Sequence, residues 1–305
     1  MYIGVDIGGM SIKAGIVNDE GTIITKCAVP TPCNDDDAFC EAMFDAITKA
    51  MTQADITIND VKTIGIGSPS AVIKEKGVLL EAENIGYKYI DARSFLQSRL
   101  GDIPVFVDND ANCAALGEYH KSKKSPSFIF ITLGTGIGGG IILDGKMLYG
   151  ANGAAGELGH IITHAGGREC NCGRLGCWEK YGSMTGLMQS ANERRCEFEK
   201  LGKDEKITGK LIFDLAENGD KGAIRIRDEW IEEVAIGVVD IINIFQPNEI
   251  VIGGAVSAQG DVILVPLVEY AKKYAFCAET IGIPEIKMST IGGDAGIIGA
   301  AFLSE

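Results

Sequence analysis

The chain has 305 residues, of which 46% are hydrophobic and 23% are charged, so a mini-protein or a long disordered segment is excluded and two domains are expected. Its net charge of −14 and its isoelectric point of about 4.7 disfavour nucleic acid as a partner, because the surface would repel a polyanion. Met1–Asp6 lacks a basic region followed by an apolar run, so we expect a cytoplasmic protein without a membrane segment.

The first part of the chain begins with strand signals and then alternates between helix and strand patterns. Short β-branched segments predict three antiparallel strands at Tyr2–Asp6, Ala14–Val17 and Ile23–Val29. Apolar residues spaced by three and four positions predict a helix over 39–51. The further elements predicted here are a strand at Val61–Gly67, a helix at Ala92–Leu100, a strand at Val105–Asp108 and a helix at Ala111–Lys121.

A polar stretch at 121–126 precedes a second set of elements, which indicates a second α/β domain. Asp144-Gly145 is a hairpin signal within this set. The elements predicted are strands at Phe128–Leu133, Gly138–Leu143 and Glu249–Ile252, and helices at Thr185–Cys196, Lys210–Ala216, Asp220–Phe245 and from Ala295.

A glycine pair follows the first predicted strand, in the sequence Asp6-Ile-Gly8-Gly9. Glycines let backbone N–H groups approach an anion, and the Asp6 carboxylate is suited to contact a water molecule bound to Mg²⁺. Lys13 is a candidate cation for the phosphates of ATP. The alternatives are an ordinary hairpin turn and a solvated lysine.

Two further glycine loops strengthen the phosphate interpretation. Thr132-Leu-Gly134-Thr135-Gly136 follows a predicted strand and adds hydroxyl groups, and Gly253-Gly254 follows another strand. Neither loop has the spacing of a dinucleotide fingerprint or of a P-loop, so the pattern indicates a different site for ATP and Mg²⁺.

Asn109-Asp110 stands at the end of an apolar strand and immediately before a helix pattern. An Asp that accepts a hydroxyl proton, beside an Asn that binds a polyol, suits phosphoryl transfer to a sugar. The alternative is that Asp110 only caps the helix.

His160, Cys170, Cys172 and Cys177 lie within 18 residues, and glycines at 173 and 176 supply turns between the cysteines. Three thiolates and an imidazole suit tetrahedral Zn²⁺, and four protein ligands predict a structural ion. The odd total of nine cysteines argues against a disulfide framework. We expect the other six to be buried thiols: Cys27, Cys33, Cys40, Cys113, Cys196 and Cys277.

Taken together, these segments resemble the ROK family of bacterial sugar kinases and sugar-responsive repressors. The resemblance extends over essentially the whole chain, and it is most specific at Cys170–Glu179, which matches the pattern Cys-x-Cys-Gly-x-x-Gly-Cys-x-Glu. The segments Glu157–His160 and Thr132–Gly140 also match motifs of the family. Met10 departs from it where Thr is usual, and Ser70 where Gly is usual.

The resemblance implies an α/β, actin-like and RNase-H-like fold of two domains with ATP and sugar in the cleft between them. The smaller domain would comprise 1–120, completed by a C-terminal helix at about 294–305, and the larger one 121–293. The roles implied are Asp110 as the base, sugar contacts from Gly67, Ser68, Asn109, Asp110, Glu157, His160 and Glu179, and contacts of Gly253 and Gly254 with adenosine. His160 would also bind the zinc ion.

The function implied is an ATP-dependent hexokinase that acts on the 6-hydroxyl of glucose. Other hexoses and N-acetylhexosamines stay open, and so does the class of non-catalytic repressors. The repressors carry a helix-turn-helix domain before the sugar domain, whereas Asp6 already belongs to the first loop here. A homodimer or homotetramer is expected.

Overall fold

The computed structural model describes residues 1–82, 85–122 and 125–304. Its strands are β1 (Tyr2–Ile7), β2 (Ser11–Val17), β3 (Ile23–Pro30), β4 (Ile64–Ser68), β5 (Val72–Ile73), β6 (Val78–Leu79), β7 (Ile90–Asp91), β8 (Val105–Asn109), β9 (Ser127–Leu133), β10 (Ile137–Leu143), β11 (Lys146–Met147), β12 (Glu249–Gly253) and β13 (Glu285–Met288). Its α-helices are α1 (Asp36–Gln53), α2 (Ala92–Leu100), α3 (Asp110–Lys121), α4 (Glu179–Gly182), α5 (Met184–Glu193), α6 (Gly209–Glu217), α7 (Lys221–Phe245), α8 (Asp261–Tyr274), α9 (Ala278–Ile281) and α10 (Ala295–Ala301).

The fold is mixed α/β, as the sequence predicts, and it contains two five-stranded sheets. The first has the order β3-β2-β1-β4-β8, in which β1, β2 and β3 are antiparallel and β4 is parallel to β1 and β8. The second has the order β11-β10-β9-β12-β13, with β12 parallel to β9 and β13. Because parallel strands align their carboxyl ends, loops after β4 and β8 emerge at one edge of the first sheet.

The chain divides into two compact units, and both are discontinuous in sequence. Unit 1 comprises Met1–Pro126, Gly140–Ala155 and Ile291–Glu305, and unit 2 comprises Ser127–Gly139 and Gly156–Thr290. The division predicted from the sequence, with 1–120 and 294–305 in one domain and 121–293 in the other, stays a prediction.

The core of unit 1 includes α10, all seven residues of which are buried. This helix packs against β1, β4 and α3 at glycines that allow the backbones to touch. A Cβ atom on Gly65 would lie 1.7 Å from the carbonyl oxygen of Ala300, and one on Gly4 would lie 1.9 Å from that of Ile297. No side chain fits at these two positions, so the glycines determine how closely the helix approaches the sheet.

Several expectations from the sequence are corrected by the structure. Strand β4 begins at Ile64 and not at 61, and a short 3-10 turn precedes it at Ile58–Asp60. The small sheet β5-β6-β7 was not predicted, since its strands have only two residues each. All nine cysteines are free thiols, but of the six expected to be buried only Cys113 is. Cys27 and Cys40 are half-buried, and Cys33, Cys196 and Cys277 are exposed.

Among the described residues, no helix has both the length and the apolar character needed to cross a membrane.

Candidate active site

The turn between β8 and α3 carries the residues predicted to do acid–base chemistry. Asn109 is the N-cap of α3, and its Oδ1 accepts a hydrogen bond from the backbone N–H of Ala111 at 2.9 Å. Asp110 is the first residue of the helix and is half-buried, and its Oδ1 accepts from the same N–H at 2.8 Å. The capping position therefore belongs to Asn109, and the Asp110 carboxylate lies beside it on the first turn.

Gly67 and Ser68 lie beside this turn at the end of the neighbouring strand. The parallel register between β4 and β8 pairs Gly67 with Asp108 and Ser68 with Asn109. The structure thus brings together four residues predicted to bind sugar, including Asp110, at one edge of the sheet in unit 1.

A hydroxyl cluster, formed by Ser68, Ser70 and Tyr87, fixes the loop after β4. Ser68 Oγ is hydrogen-bonded to the hydroxyl of Tyr87 and lies 3.1 Å from Ser70 Oγ, and Tyr87 donates to Ser70 Oγ at 3.0 Å. All three side chains are buried, and burial raises the pKa of Tyr87. Ser70, which departs from the family pattern, is therefore an integral hydrogen-bonding partner here.

Sequence reasoning missed a buried carboxylate in the same segment. Asp108 is only 2% exposed, and its Oδ2 lies 2.6 Å from Lys74 Nζ and 2.8 Å from the hydroxyl of Tyr149. The only signal in the sequence was that Asp108 directly precedes Asn109-Asp110 and begins this run of three polar residues.

The loop after β1 forms a tight hairpin to β2. Asp6 Oδ2 accepts a hydrogen bond from Lys13 Nζ at 2.9 Å, since the antiparallel register places the two residues opposite each other. The N–H of Gly8 donates to the Ser11 carbonyl at 3.0 Å, so the hairpin already uses one of the donors predicted to face phosphate. Met10 is 91% exposed.

In unit 2, the ends of β9 and β12 bring two glycine loops side by side. The parallel register pairs Thr132 with Gly253. Gly254 has φ of +84°, and a Cβ atom there would lie 2.3 Å from the carbonyl oxygen of Leu133, so only glycine fits. The structure thus places the two predicted nucleotide-binding segments of this unit next to each other.

The loop between β9 and β10, which includes Gly134, Thr135 and Gly136, is held by α5 and by Glu179. Thr185 Oγ1 donates to the Thr135 carbonyl at 2.7 Å, and the Met184 N–H donates to the Gly134 carbonyl at 2.9 Å. Glu179 Oε2 accepts from the Ile137 N–H at 3.0 Å. A cavity of about 270 Å³ lies here, and Thr135, Gly136 and Glu179 are among its lining residues.

The four predicted metal ligands come together in unit 2. The ligand atoms of His160, Cys170, Cys172 and Cys177 all lie within 4.8 Å of one another. Cys172 Sγ is 3.6 Å from Cys177 Sγ, and Cys170 Sγ is 3.7 Å from His160 Nδ1. Thiolates around a tetrahedral zinc ion, with Zn–S distances near 2.3 Å, stand about 3.8 Å apart, so the donor set and its spacing fit this ion.

Electrostatics in this group of ligands also favour a cation. Burial, together with the adjacent Cys172 and Cys170 groups, raises the pKa of the Cys177 thiol to about 12. A backbone hydrogen bond from Arg174 lowers the pKa of Cys172. Several thiolates therefore cannot share this space at neutral pH without a positive ion to offset their charge.

Glu157 precedes a single 3-10 turn, Leu158–His160, and the His160 N–H donates to the Glu157 carbonyl at 3.1 Å. Glu157 is exposed and His160 is half-buried. Glu179 begins α4, two residues after Cys177. The metal-ligand group thus lies next to both carboxylates that the resemblance assigns to sugar hydroxyls.

Comparison with known proteins identifies the family. Residues 2–305 match the sequence model of the ROK family. The chain belongs to the ROK family. A glucokinase from Halalkalibacterium halodurans is 36% identical over 312 residues, which cover 99% of this chain and 94% of that protein.

Among solved structures, a ROK family glucokinase from Streptomyces griseus in complex with glucose and AMPPNP is 34% identical, with a TM-score of 0.82. The alignment covers 99% of this chain and 98% of that one. A xylose repressor from Caldicellulosiruptor bescii is 31% identical, over 97% of this chain and 76% of the repressor. The ROK family therefore relates this chain to both kinases and regulators.

Proposed function

We propose that this protein is an ATP-dependent hexokinase and that its main substrate is glucose, phosphorylated at the 6-hydroxyl. The observation that carries the proposal is the similarity to glucokinases, which covers 99% of the chain and so includes every segment with a predicted site residue. A requirement for ATP also favours a cytoplasmic location.

In the proposed mechanism, Asp110 takes the proton of the reacting hydroxyl, whose oxygen then attacks the terminal phosphorus of ATP while ADP leaves. Asn109 holds a neighbouring hydroxyl, and its own position is fixed because it caps α3. Gly67 and Ser68 would contact the same part of the sugar, since they pair in register with this segment. Positioning and electrostatics supply most of the catalysis in this class of reaction.

The nucleotide is assigned to the glycine loops. In unit 2 these are Thr132, Gly134, Thr135, Gly136, Gly253 and Gly254. In unit 1 they are Asp6, Gly8, Gly9 and Lys13. Mg²⁺ bound with ATP would offset phosphate charge, and Asp6 is the carboxylate suited to its water shell. Lys13 already lies 2.9 Å from Asp6, so a cation at Asp6 would release Lys13 toward phosphate.

Zinc is assigned a structural role with His160, Cys170, Cys172 and Cys177 as ligands. Since Nδ1 of His160 lies at the group of thiols, Nε2 is left for a sugar hydroxyl. The ion would hold the segments that carry Glu157 and Glu179, the other two proposed sugar ligands, and it would not touch phosphate.

The test is an ADP-release assay over glucose, mannose, fructose, allose, N-acetylglucosamine and N-acetylmannosamine. We expect the highest kcat/KM with glucose. Preference for an N-acetylhexosamine would keep the kinase and change its substrate, whereas preference for a sugar acid or for a molecule that is not a carbohydrate would refute the hexokinase proposal. The predicted homodimer or homotetramer is tested separately by light scattering.

A non-catalytic sugar-sensing regulator is the second candidate, because a xylose repressor is 31% identical over 97% of the chain. A mobility-shift assay against promoter DNA at low salt distinguishes the two classes. A sequence-specific complex that sugar dissociates, together with no ADP release on any sugar, would establish the regulator.

A further inference from the structure

The Asp108 carboxylate is saturated with hydrogen bonds from the protein. Its Oδ1 accepts from the backbone N–H of Asn109 at 2.7 Å and from Asn112 Nδ2 at 3.0 Å. Its Oδ2 accepts from Lys74 Nζ at 2.6 Å and from the Tyr149 hydroxyl at 2.8 Å. A carboxylate has about four acceptor positions, so Asp108 has none left for a substrate proton.

The partners of Asp108 come from three separate segments of unit 1. Lys74 follows β5, Asn112 lies in α3 and Tyr149 follows β11. Lys74 Nζ also lies 3.4 Å from the centre of the Tyr149 ring, which adds a cation–π contact between the two donors. Burial, and then the negative charge of Asp108, raises the pKa of Tyr149, so its hydroxyl stays a neutral donor.

We propose that Lys74, Asp108 and Tyr149 act as positioning residues for Asn109 and Asp110. This inference rests on the proposed function, in which Asp110 is the base. Asp108 accepts from the backbone of Asn109 itself, and Asn109 in turn caps the helix that begins with Asp110. The three side chains, named here the Asp108 cluster, thereby fix the turn on which the reacting groups stand.

The Asp108 cluster also sets the charge beside Asp110. Lys74 balances the negative charge of Asp108, which stands two residues before the base. Titratable groups of unit 1 near Asp110 include Cys113 of α3, which burial keeps protonated, and Tyr87, and Asp6 near Cys113 is paired with Lys13. A change at Lys74 or Asp108 therefore alters the net charge next to Asp110 by one.

This charge arrangement gives a test in which two substitutions act in opposite directions. In Lys74→Met, the Asp108 charge is no longer balanced and raises the pKa of Asp110. The acid limb of the pH profile of kcat/KM therefore moves to higher pH by about 0.5 to 1 unit. In Asp108→Asn the neighbouring negative charge disappears, and the limb moves to lower pH. The double variant restores the charge balance, and its limb returns to that of the wild type.

Turnover gives a second readout. We expect kcat to fall about tenfold in Lys74→Met and in Asp108→Asn, with the Kd for glucose changed less than about threefold, because the base is displaced while the sugar contacts outside this turn persist. Tyr149→Phe removes one donor at unchanged charge, so kcat falls about threefold and the acid limb does not move. If Asp108→Asn fails to fold, Lys74→Met and Tyr149→Phe still test the positioning role of the Asp108 cluster.

The controls are Asp45→Asn and Lys49→Met, which remove an exposed ion pair on α1 and should leave kcat and the acid limb unchanged. The proposal is overturned if Lys74→Met and Tyr149→Phe fold normally and retain the acid limb and kcat of the wild type, or if their losses lie only in KM. If Asp110→Asn keeps near-normal turnover, or if the wild type phosphorylates no sugar, the proposed function fails and the Asp108 cluster loses its role with it.

Discussion

The Asp108 cluster in unit 1 and the zinc-ligand group in unit 2 differ in how their charges are balanced. The negative charge of Asp108 is neutralised by Lys74, and its remaining acceptor positions are filled by donors of the same unit. In the zinc-ligand group, Cys172 and Cys177 place their sulfur atoms 3.6 Å apart, and burial opposes ionisation of Cys177. The first arrangement is complete once unit 1 has folded, whereas the second, as proposed above, would be complete only with an ion bound.

The largest expected effect concerns Asp110, which we propose as the base. Asp110→Asn keeps the shape of the side chain and removes the proposed base, so kcat should fall at least about 100-fold while glucose binding largely survives. Coupled ADP release measures the first quantity and calorimetry the second. Near-normal turnover would reduce Asp110 to a residue of the helix terminus, and Asp102→Asn serves as an exposed control in the same unit.

The next effect concerns the zinc-ligand group, formed by His160, Cys170, Cys172 and Cys177. Metal analysis of the wild type should find about one Zn²⁺ per chain, and Cys177→Ser should lose it. Because Glu157 and Glu179 flank the ligands, the KM for sugar should rise about 10- to 100-fold while ATP affinity changes little.

Cys196→Ser, at an exposed thiol outside the ligand set, is the matched control. A fully active, metal-free wild type would remove zinc from the mechanism. Equal loss of ATP and sugar binding in Cys177→Ser would indicate unfolding of unit 2 instead of a local change.

A smaller effect follows from the pKa of Cys177. The metal-free thiol has a pKa of about 12, so it carries its proton at neutral pH and must release it when zinc binds. Apparent zinc affinity should therefore rise with pH, by about tenfold per unit for each proton released. Competition with a chromophoric chelator between pH 6.5 and 8 measures the slope, and a flat profile would contradict the assignment of Cys177 as a ligand.

The smallest effect tests whether the hydroxyl cluster adds to the rigidity of unit 1. Ser70→Gly introduces the usual family residue and removes two of the three hydrogen bonds. We expect a loss of about 1 kcal/mol in the free energy of unfolding and a change of about threefold in the KM for glucose. Ser70→Ala separates the hydroxyl from backbone freedom, since it keeps the Cβ atom. Identical behaviour of wild type and both variants would show that the hydroxyl is dispensable.

The two clusters also differ in how far the sequence predicts them. The four proposed zinc ligands lie in one short segment with fixed spacing, and the structure brings their ligand atoms close together. Lys74 and Tyr149 lie 34 and 41 residues from Asp108 and belong to no motif, so nothing local relates them. Their meeting depends on β5 and β11, two-residue strands whose pairing is decided by the rest of the fold.

Most of the longer helices and strands were predictable for a simpler reason, which is that their apolar periodicity is a local property. No bounds were predicted for helix α8, which has 14 residues. Helix α2 was predicted with both of its boundaries, Ala92 and Leu100. Strand β13 was missed because its four residues include only two with apolar side chains, and its position depends on pairing with β12.

The close approach of α10 to Gly4 and Gly65 bears on how the chain folds as it is synthesised. Strands β1 and β4 leave the ribosome before any of unit 2, whereas α10 follows all of it. Until that helix is synthesised, the face of the sheet that it covers stays exposed, with no side chain at Gly4 and Gly65, where carbonyl oxygens of the helix lie 1.9 and 1.7 Å from the position of a Cβ atom. Unit 2 is therefore free to fold first, and unit 1 must wait in an incomplete state that is open to chaperones and proteases.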